Sequence, residues 1–297
     1  MRTTSIFRGV ATALITPMRE NGDIDFDALG RFIDWQVEQG VQAVVIAGTT
    51  GEGSTLTDAE HRQSIRYCVE RTAGRIPVIA ATGSNDTAYA ISLTRYACDV
   101  GADAMLVVTP YYNKATQKGL IRMYTAIADA STKPLILYNV PSRTGVGIEP
   151  STYAVLADHP NIAAIKEANG DISRIVETAA LVGDKLDIYS GNDDQIVPIL
   201  SMGGSGVISV LSNVMPAKTV EICRRFWEGD VAGSTALQCE LLPLINALFS
   251  EVNPIPVKAA LSAMGWCRDS LRSPLIPLEE ADRAVMMALL RRHGLVA

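Results

Sequence analysis

This 297-residue chain has no long hydrophobic run and no cluster of basic residues. No apolar stretch approaches the roughly 20 residues that a membrane-spanning helix needs, so no membrane partner is expected. Lys and Arg total 26 against 32 Asp and Glu, a formal net charge of −6. That balance, without any Lys/Arg arm, argues against nucleic acid as a partner. Histidine is scarce: His61, His159 and His293 lie far apart and form no HExxH. The five cysteines (Cys68, Cys98, Cys223, Cys239 and Cys267) are scattered, odd in number and never in a CxxC pair. No metal site is therefore expected, and unpaired thiols fit a reducing, cytoplasmic setting. Arg2, Arg8 and the apolar residues 9–15 loosely imitate a leader peptide, but Thr16-Pro17 and charged residues follow. The segment is short for a leader and reads better as a first strand.

What the chain does have is a repeated unit: a short apolar run, a Gly/Thr/Pro/Asn punctuation, then an amphipathic helical stretch. The strand-like runs fall at 10–16, 43–47, 77–81, 104–108, 135–139, 162–166, 186–190 and 207–210. Their spacing suits a strand plus its crossover helix. Helices are expected at 26–39, 58–72, 87–99 and 171–181, with Asp58 and Asp171 as N-caps. Eight nearly continuous apolar runs indicate a parallel sheet covered by helices, and the count favours closure. The expected fold is an α/β (β/α)8 TIM barrel over residues 1–228. Residues 229–297 read as a C-terminal helical extension packed on the same body.

In such a barrel the loops after the strands build the site. Polar and charged residues concentrate there: Gly48-Thr49-Thr50-Gly51-Glu52, Thr109-Pro110-Tyr111-Tyr112-Asn113, Tyr138 to Arg143, and Gly191-Asn192-Asp193-Asp194. Only seven lysines occur, and Lys166 alone ends an apolar strand, Ile162-Ala163-Ala164-Ile165-Lys166. The other six, Lys258 among them, fall on loops, turns or helices where a solvated ammonium is ordinary. Burial at a barrel mouth disfavours an ammonium, and carbonyl attack needs the neutral amine. The competing interpretation is a structural lysine paired with a carboxylate such as Glu167. Tyr138 ends the preceding strand, where a phenol can pass protons or simply pack as an amphipathic side chain. Gly48 to Gly51 can cradle an anion with backbone amides or form a plain turn. Arg143 can clamp a carboxylate or lie idle at the surface. Gly203-Gly204-Ser205-Gly206 precedes the eighth run, on the opposite face, and reads as a tight turn.

Together these segments resemble the dihydrodipicolinate synthase group of the N-acetylneuraminate lyase superfamily. The likeness runs from Gly9 to about Leu278 through seven ordered motifs. They are Gly-Thr-Thr-Gly-Glu at 48–52, Pro-Tyr-Tyr-Asn-Lys at 110–114, Tyr-Asn-Val-Pro-Ser-Arg-Thr-Gly at 138–145 and Ile-Lys-Glu-Ala at 165–168. Ser-Gly-Asn-Asp at 190–193, Gly-Val-Ile-Ser-Val at 206–210 and Asn-Pro-Ile-Pro-Val-Lys at 253–258 complete the set. The resemblance implies that pyruvate forms an imine with Lys166 and condenses with L-aspartate 4-semialdehyde, a step toward diaminopimelate and lysine. It implies Tyr138 as proton donor and acceptor, with Thr49 and Tyr112 completing a relay. Thr50 and the backbone of Ile208 are implied to hold pyruvate, and Arg143 the semialdehyde carboxylate. It implies no metal or organic cofactor, and a homotetramer of two tight dimers in which Tyr112 reaches a partner's site. His61, Asn85 and Tyr111 match positions of the group's lysine-binding pocket, whereas Gly53, Asp58 and Tyr89 depart from it. Tyr89 replaces an acidic residue, so weak lysine inhibition is expected. The alternative within the superfamily is another 2-keto-acid aldolase or lyase acting on a sugar acid, with Asp193 and Asp194 reading hydroxyls.

Overall fold

The protein's structure, a computed structural model, describes residues 5–297. The described residues form eight strands: β1 Gly9–Ala13, β2 Ala43–Ile46, β3 Val78–Ala81, β4 Ala104–Val108, β5 Leu135–Asn139, β6 Ile162–Glu167, β7 Asp187–Ser190 and β8 Gly206–Ser209. Each pairs in parallel with its sequence neighbour, and β8 returns to β1, closing the barrel. Helices fill the crossovers, as in the TIM-barrel architecture expected from the sequence. The first strand is shorter than the expected 10–16. Its ladder ends at Ala13, and Thr16 instead donates its hydroxyl to the Gly51 carbonyl at 2.6 Å. The seam between β1 and β8 needs glycine: a Cβ on Gly206, where φ is +142°, would lie 1.8 Å from the Gly9 oxygen.

Strand alternation decides which side chains enter the barrel. Leu106, Ile136 and Ala164 pack inside, whereas their neighbours Val107, Leu137 and Ile165 pack outward under the helices. Two residues further along, the same phase turns Tyr138 and Lys166 inward and Asn139 and Glu167 outward. Below them the interior is sealed by Phe7 stacked on Tyr189, with ring centroids 4.1 Å apart.

The helix Asp58–Thr72 is capped one residue earlier than expected. Thr57 accepts from the Glu60 amide while Glu60 accepts from Thr57, a reciprocal capping box. Asp58 is the first helical residue and pairs with Arg62 one turn on. Asp171 is an N-cap, accepting from the amides of Ser173 and Arg174. After β8 the helix Pro216–Trp227 completes the barrel's outer ring, and beyond it run the helices Val231–Ala247, Ile255–Ala263 and Glu280–Arg292. They are tied to the barrel loops: Gln238 bonds both the Val197 amide and the Asp194 carbonyl. All five cysteines are free, Cys68 and Cys223 buried and Cys239 exposed.

Candidate active site

The carboxyl ends of the strands open into a cavity of about 770 Å³. Thr49, Thr50, Tyr138, Arg143 and Lys166 all line it. The floor is set by β5 and β6, whose register pairs Tyr138 with Lys166 and Asn139 with Glu167. Lys166 is 6% exposed and Tyr138 7% exposed. The Lys166 Nζ lies 4.3 Å from the centre of the Tyr138 ring, within cation–π or N–H···π range. Among the described residues no carboxylate forms an ion pair with Lys166. A buried amine beside a phenol, without a salt-bridge partner, is an arrangement able to do carbonyl chemistry.

Glu167 is not the partner of Lys166. It points outward, buried, where it accepts from Asn139 Nδ2 at 3.0 and 3.2 Å, from Tyr153 Oη at 3.1 Å and from the Asn169 amide at 3.0 Å. Burial pushes its carboxyl up to about 7 in spite of these donors. Asn139 in turn accepts from the Ile148 amide at 3.1 Å. The same knot therefore fixes the ends of both strands and the loop that carries Arg143.

The Gly48–Gly53 loop forms one wall. Ala47 and Glu52 adopt positive φ (56° and 52°), and a Cβ on Gly53 would lie 2.2 Å from the Ala47 oxygen. This tight path leaves the amides of Thr49, Thr50 and Gly51 without a protein acceptor among the described residues. Thr49 and Thr50 line the cavity, so their unpaired N–H groups and hydroxyls are the donors this wall can offer an anion. The loop is held from far along the chain: Lys258, fully buried, meets Glu52 Oε1 at 2.6 Å, and the Arg272 amide donates to Glu52 Oε2 at 3.1 Å. Lys258 is thus no solvated surface lysine, contrary to the expectation from sequence. The signal was there, because it sits in an apolar helical run, Ile255-Pro256-Val257-Lys258-Ala259-Ala260-Leu261.

Arg143 stands exposed at the rim, in the turn Pro141–Thr144, and donates to the Asn253 carbonyl at 3.4 Å. Ile208 is buried inside the barrel beneath the cavity rather than in its wall. Tyr112 is 92% exposed and does not line this cavity, so a single chain does not bring it to Lys166. Asp193 is buried and does not line the cavity, its Oδ2 accepting from the Val210 and Leu211 amides, so it is not placed to read sugar hydroxyls there. Asn253, which opens the 253–258 motif but had no role expected of it, lines the cavity and donates from Nδ2 to Thr50 Oγ1 at 3.0 Å.

The cavity extends outward past Asp58, His61, Tyr89 and Tyr111. His61 bonds the Ala81 carbonyl at 2.9 Å, and burial pushes its imidazole below its ordinary value. The Asp58 carboxylate is already engaged, by Arg62 first and by Tyr89, which hold it below the usual carboxylate range. Asn85 donates to the Tyr111 carbonyl at 3.2 Å.

The chain is similar to known proteins along nearly its whole length. The Dihydrodipicolinate synthetase family matches over residues 6–293. The 4-hydroxy-tetrahydrodipicolinate synthase of Lachnoclostridium phytofermentans is 53% identical, covering 98% of this chain and 100% of its own. A solved monomeric dihydrodipicolinate synthase variant superposes with a TM-score of 0.96 at 42% identity, covering 98% of each chain. The dihydrodipicolinate synthase of Cyanidioschyzon merolae, solved with lysine bound, gives 0.96 at 34% identity over 99% of this chain and 100% of that one.

Proposed function

The chain belongs to the Dihydrodipicolinate synthetase family, and on that premise we propose that Lys166 carries pyruvate as an imine while it condenses with L-aspartate 4-semialdehyde. The activity is that of a 4-hydroxy-tetrahydrodipicolinate synthase, a lyase of lysine and diaminopimelate biosynthesis. The observation that carries the nucleophile assignment is the buried pair itself: one lysine and one tyrosine, in register, at the floor of the cavity.

The amine of Lys166 adds to the keto carbon, and water leaves as the imine forms. Both steps move protons, and Tyr138, whose ring lies beside the amine, can give and take them. The protonated imine draws in the electron pair left when a methyl proton departs, so an enamine forms without a metal or organic cofactor. The enamine carbon bonds to the aldehyde carbon of the second substrate, whose oxygen takes up a proton to become a hydroxyl; the semialdehyde's amino group then adds to the imine carbon, closing the ring as the bond to Lys166 breaks and its amine leaves. The pyruvate carboxylate sits against Thr50 and the amides of Thr49 and Thr50, and the semialdehyde carboxylate meets the fork of Arg143. Thr49 and Tyr112 extend the proton relay toward solvent.

Because Tyr112 is exposed in one chain, we assign it to the cavity of a partner, in a homotetramer built as two tight dimers. An apolar outer face on the helix Ile172–Val182, with Ile172 and Val176 exposed, suits a second contact between dimers. We assign the reaction to the cytoplasm, where five unpaired cysteines stay reduced. The test is turnover: pyruvate with aspartate semialdehyde should give the cyclic product, and N-acetylneuraminate should not be cleaved. Cleavage of the sugar acid in place of condensation would move the chain to the neighbouring lyase class.

A further inference from the structure

The wall that meets the keto acid is built by a segment some 200 residues downstream of it. Asn253 is buried, lines the cavity and donates from Nδ2 to Thr50 Oγ1 at 3.0 Å. Its main-chain oxygen accepts from Arg143 at 3.4 Å. Five residues on, Lys258 holds Glu52, two residues after Thr50, at 2.6 Å. One short stretch after the barrel therefore touches both proposed carboxylate subsites.

A threonine hydroxyl has one hydrogen and two lone pairs. Asn253 occupies a lone pair of Thr50, and among the described residues nothing accepts the Thr50 hydrogen. That hydrogen is left for a ligand in the cavity, and a carboxylate is the ligand that needs a donor. Asn253 Oδ1 is buried with no partner of its own, so the one hydrogen bond this side chain makes is the bond to Thr50. A carboxylate at position 253 would reverse the polarity: it would take the Thr50 hydrogen and add a like charge beside the incoming acid.

We propose that Asn253 is a positioning residue for the keto-acid carboxylate: its amide keeps the Thr50 hydroxyl an acceptor toward the protein and a donor toward substrate. The proposal rests on the reading of Thr50 as a pyruvate contact. It makes the region after the barrel part of the substrate site rather than only a covering layer.

The test is borohydride trapping of the pyruvate imine across a pyruvate titration, which needs no second substrate. Wild type, Asn253→Ala, Asn253→Asp, Thr50→Val and the Asn253→Ala/Thr50→Val double variant are compared, with a thermal melt of each. Asn253→Ala should raise half-saturating pyruvate about tenfold, equivalent to about 1.4 kcal/mol. The adduct at saturation and the melting midpoint should stay near wild type. The isosteric Asn253→Asp should raise half-saturation further, by about a hundredfold. In the Thr50→Val background the alanine change should add nothing, because its effect passes through that hydroxyl. Equal half-saturation in wild type and Asn253→Ala, or effects that multiply in the double variant, would overturn the proposal while leaving the imine reading intact. Absence of any adduct in the wild type would remove the imine reading and this proposal with it.

Discussion

Raising the pH from 4.5 to 7.5 should weaken the fold through one carboxyl, Glu167. In the folded protein burial lifts this group from 4.5 to about 7, against the pull of Asn139, Asn169 and Tyr153. Between those two values the folded chain keeps a proton that the unfolded chain has already lost. Folding there requires proton uptake, so stability falls as pH rises. The contribution is whole below about 4.5 and is gone once the folded carboxyl ionises near 7. A shift of roughly 2.5 units at 1.36 kcal/mol each corresponds to about 3 kcal/mol. Urea unfolding followed by tryptophan fluorescence, at several pH values across the window, measures it in wild type and Glu167→Gln. The amide cannot titrate, so the stability difference, wild type minus variant, should shrink by about 3 kcal/mol from pH 4.5 to 7.5. Other titrating groups, His61 included, cancel in that difference. A difference that stays constant within about 1 kcal/mol, or that grows, would mean that Glu167 is not held protonated by its surroundings.

Three further outcomes follow from the site. Lys258→Met strands the buried Glu52 carboxylate and should cost about 3–5 kcal/mol, lowering the melting midpoint by about 6–20 °C; adding Glu52→Gln should recover most of the loss, and a single variant that melts like wild type would contradict the pairing. Tyr112→Phe should cut kcat by about a hundredfold while leaving half-saturating pyruvate unchanged, and a loss under about twofold would remove Tyr112 from the relay. Lysine should inhibit only weakly: Asp58 is engaged by Arg62 and Tyr89, which leaves no free acid there for the effector's ammonium; half-inhibition well below about 1 mM would show otherwise.

The barrel was legible because strand burial is written locally. Runs such as Ala104–Val108, and Leu135–Asn139 up to its polar end, are apolar on both faces, and Gly and Pro punctuate their ends. Lys166 and Tyr138 stood out for the same reason, as polar residues closing apolar strands. The misreadings have physical causes too. Adjacent strand residues face opposite sides, so Lys166 inward already means Glu167 outward, and alternation alone weakens the idea that they pair. Thr57 displaced Asp58 as the cap because Glu60 reciprocates with it. Lys258–Glu52 and Asn253–Thr50 span 206 and 203 residues, and no local pattern encodes a contact of that range. Tyr112 is exposed in one chain, and no local pattern says what covers it.

Peptide mapping by mass spectrometry, after incubation with pyruvate and reduction with borohydride, tests the nucleophile most directly, and the chain holds its own control. Two of its lysines are buried, Lys166 facing the cavity and Lys258 locked onto Glu52. The account predicts a reduced pyruvate adduct on the peptide carrying Lys166 and none on the peptide carrying Lys258. An adduct on any other lysine, or none at all, would contradict it.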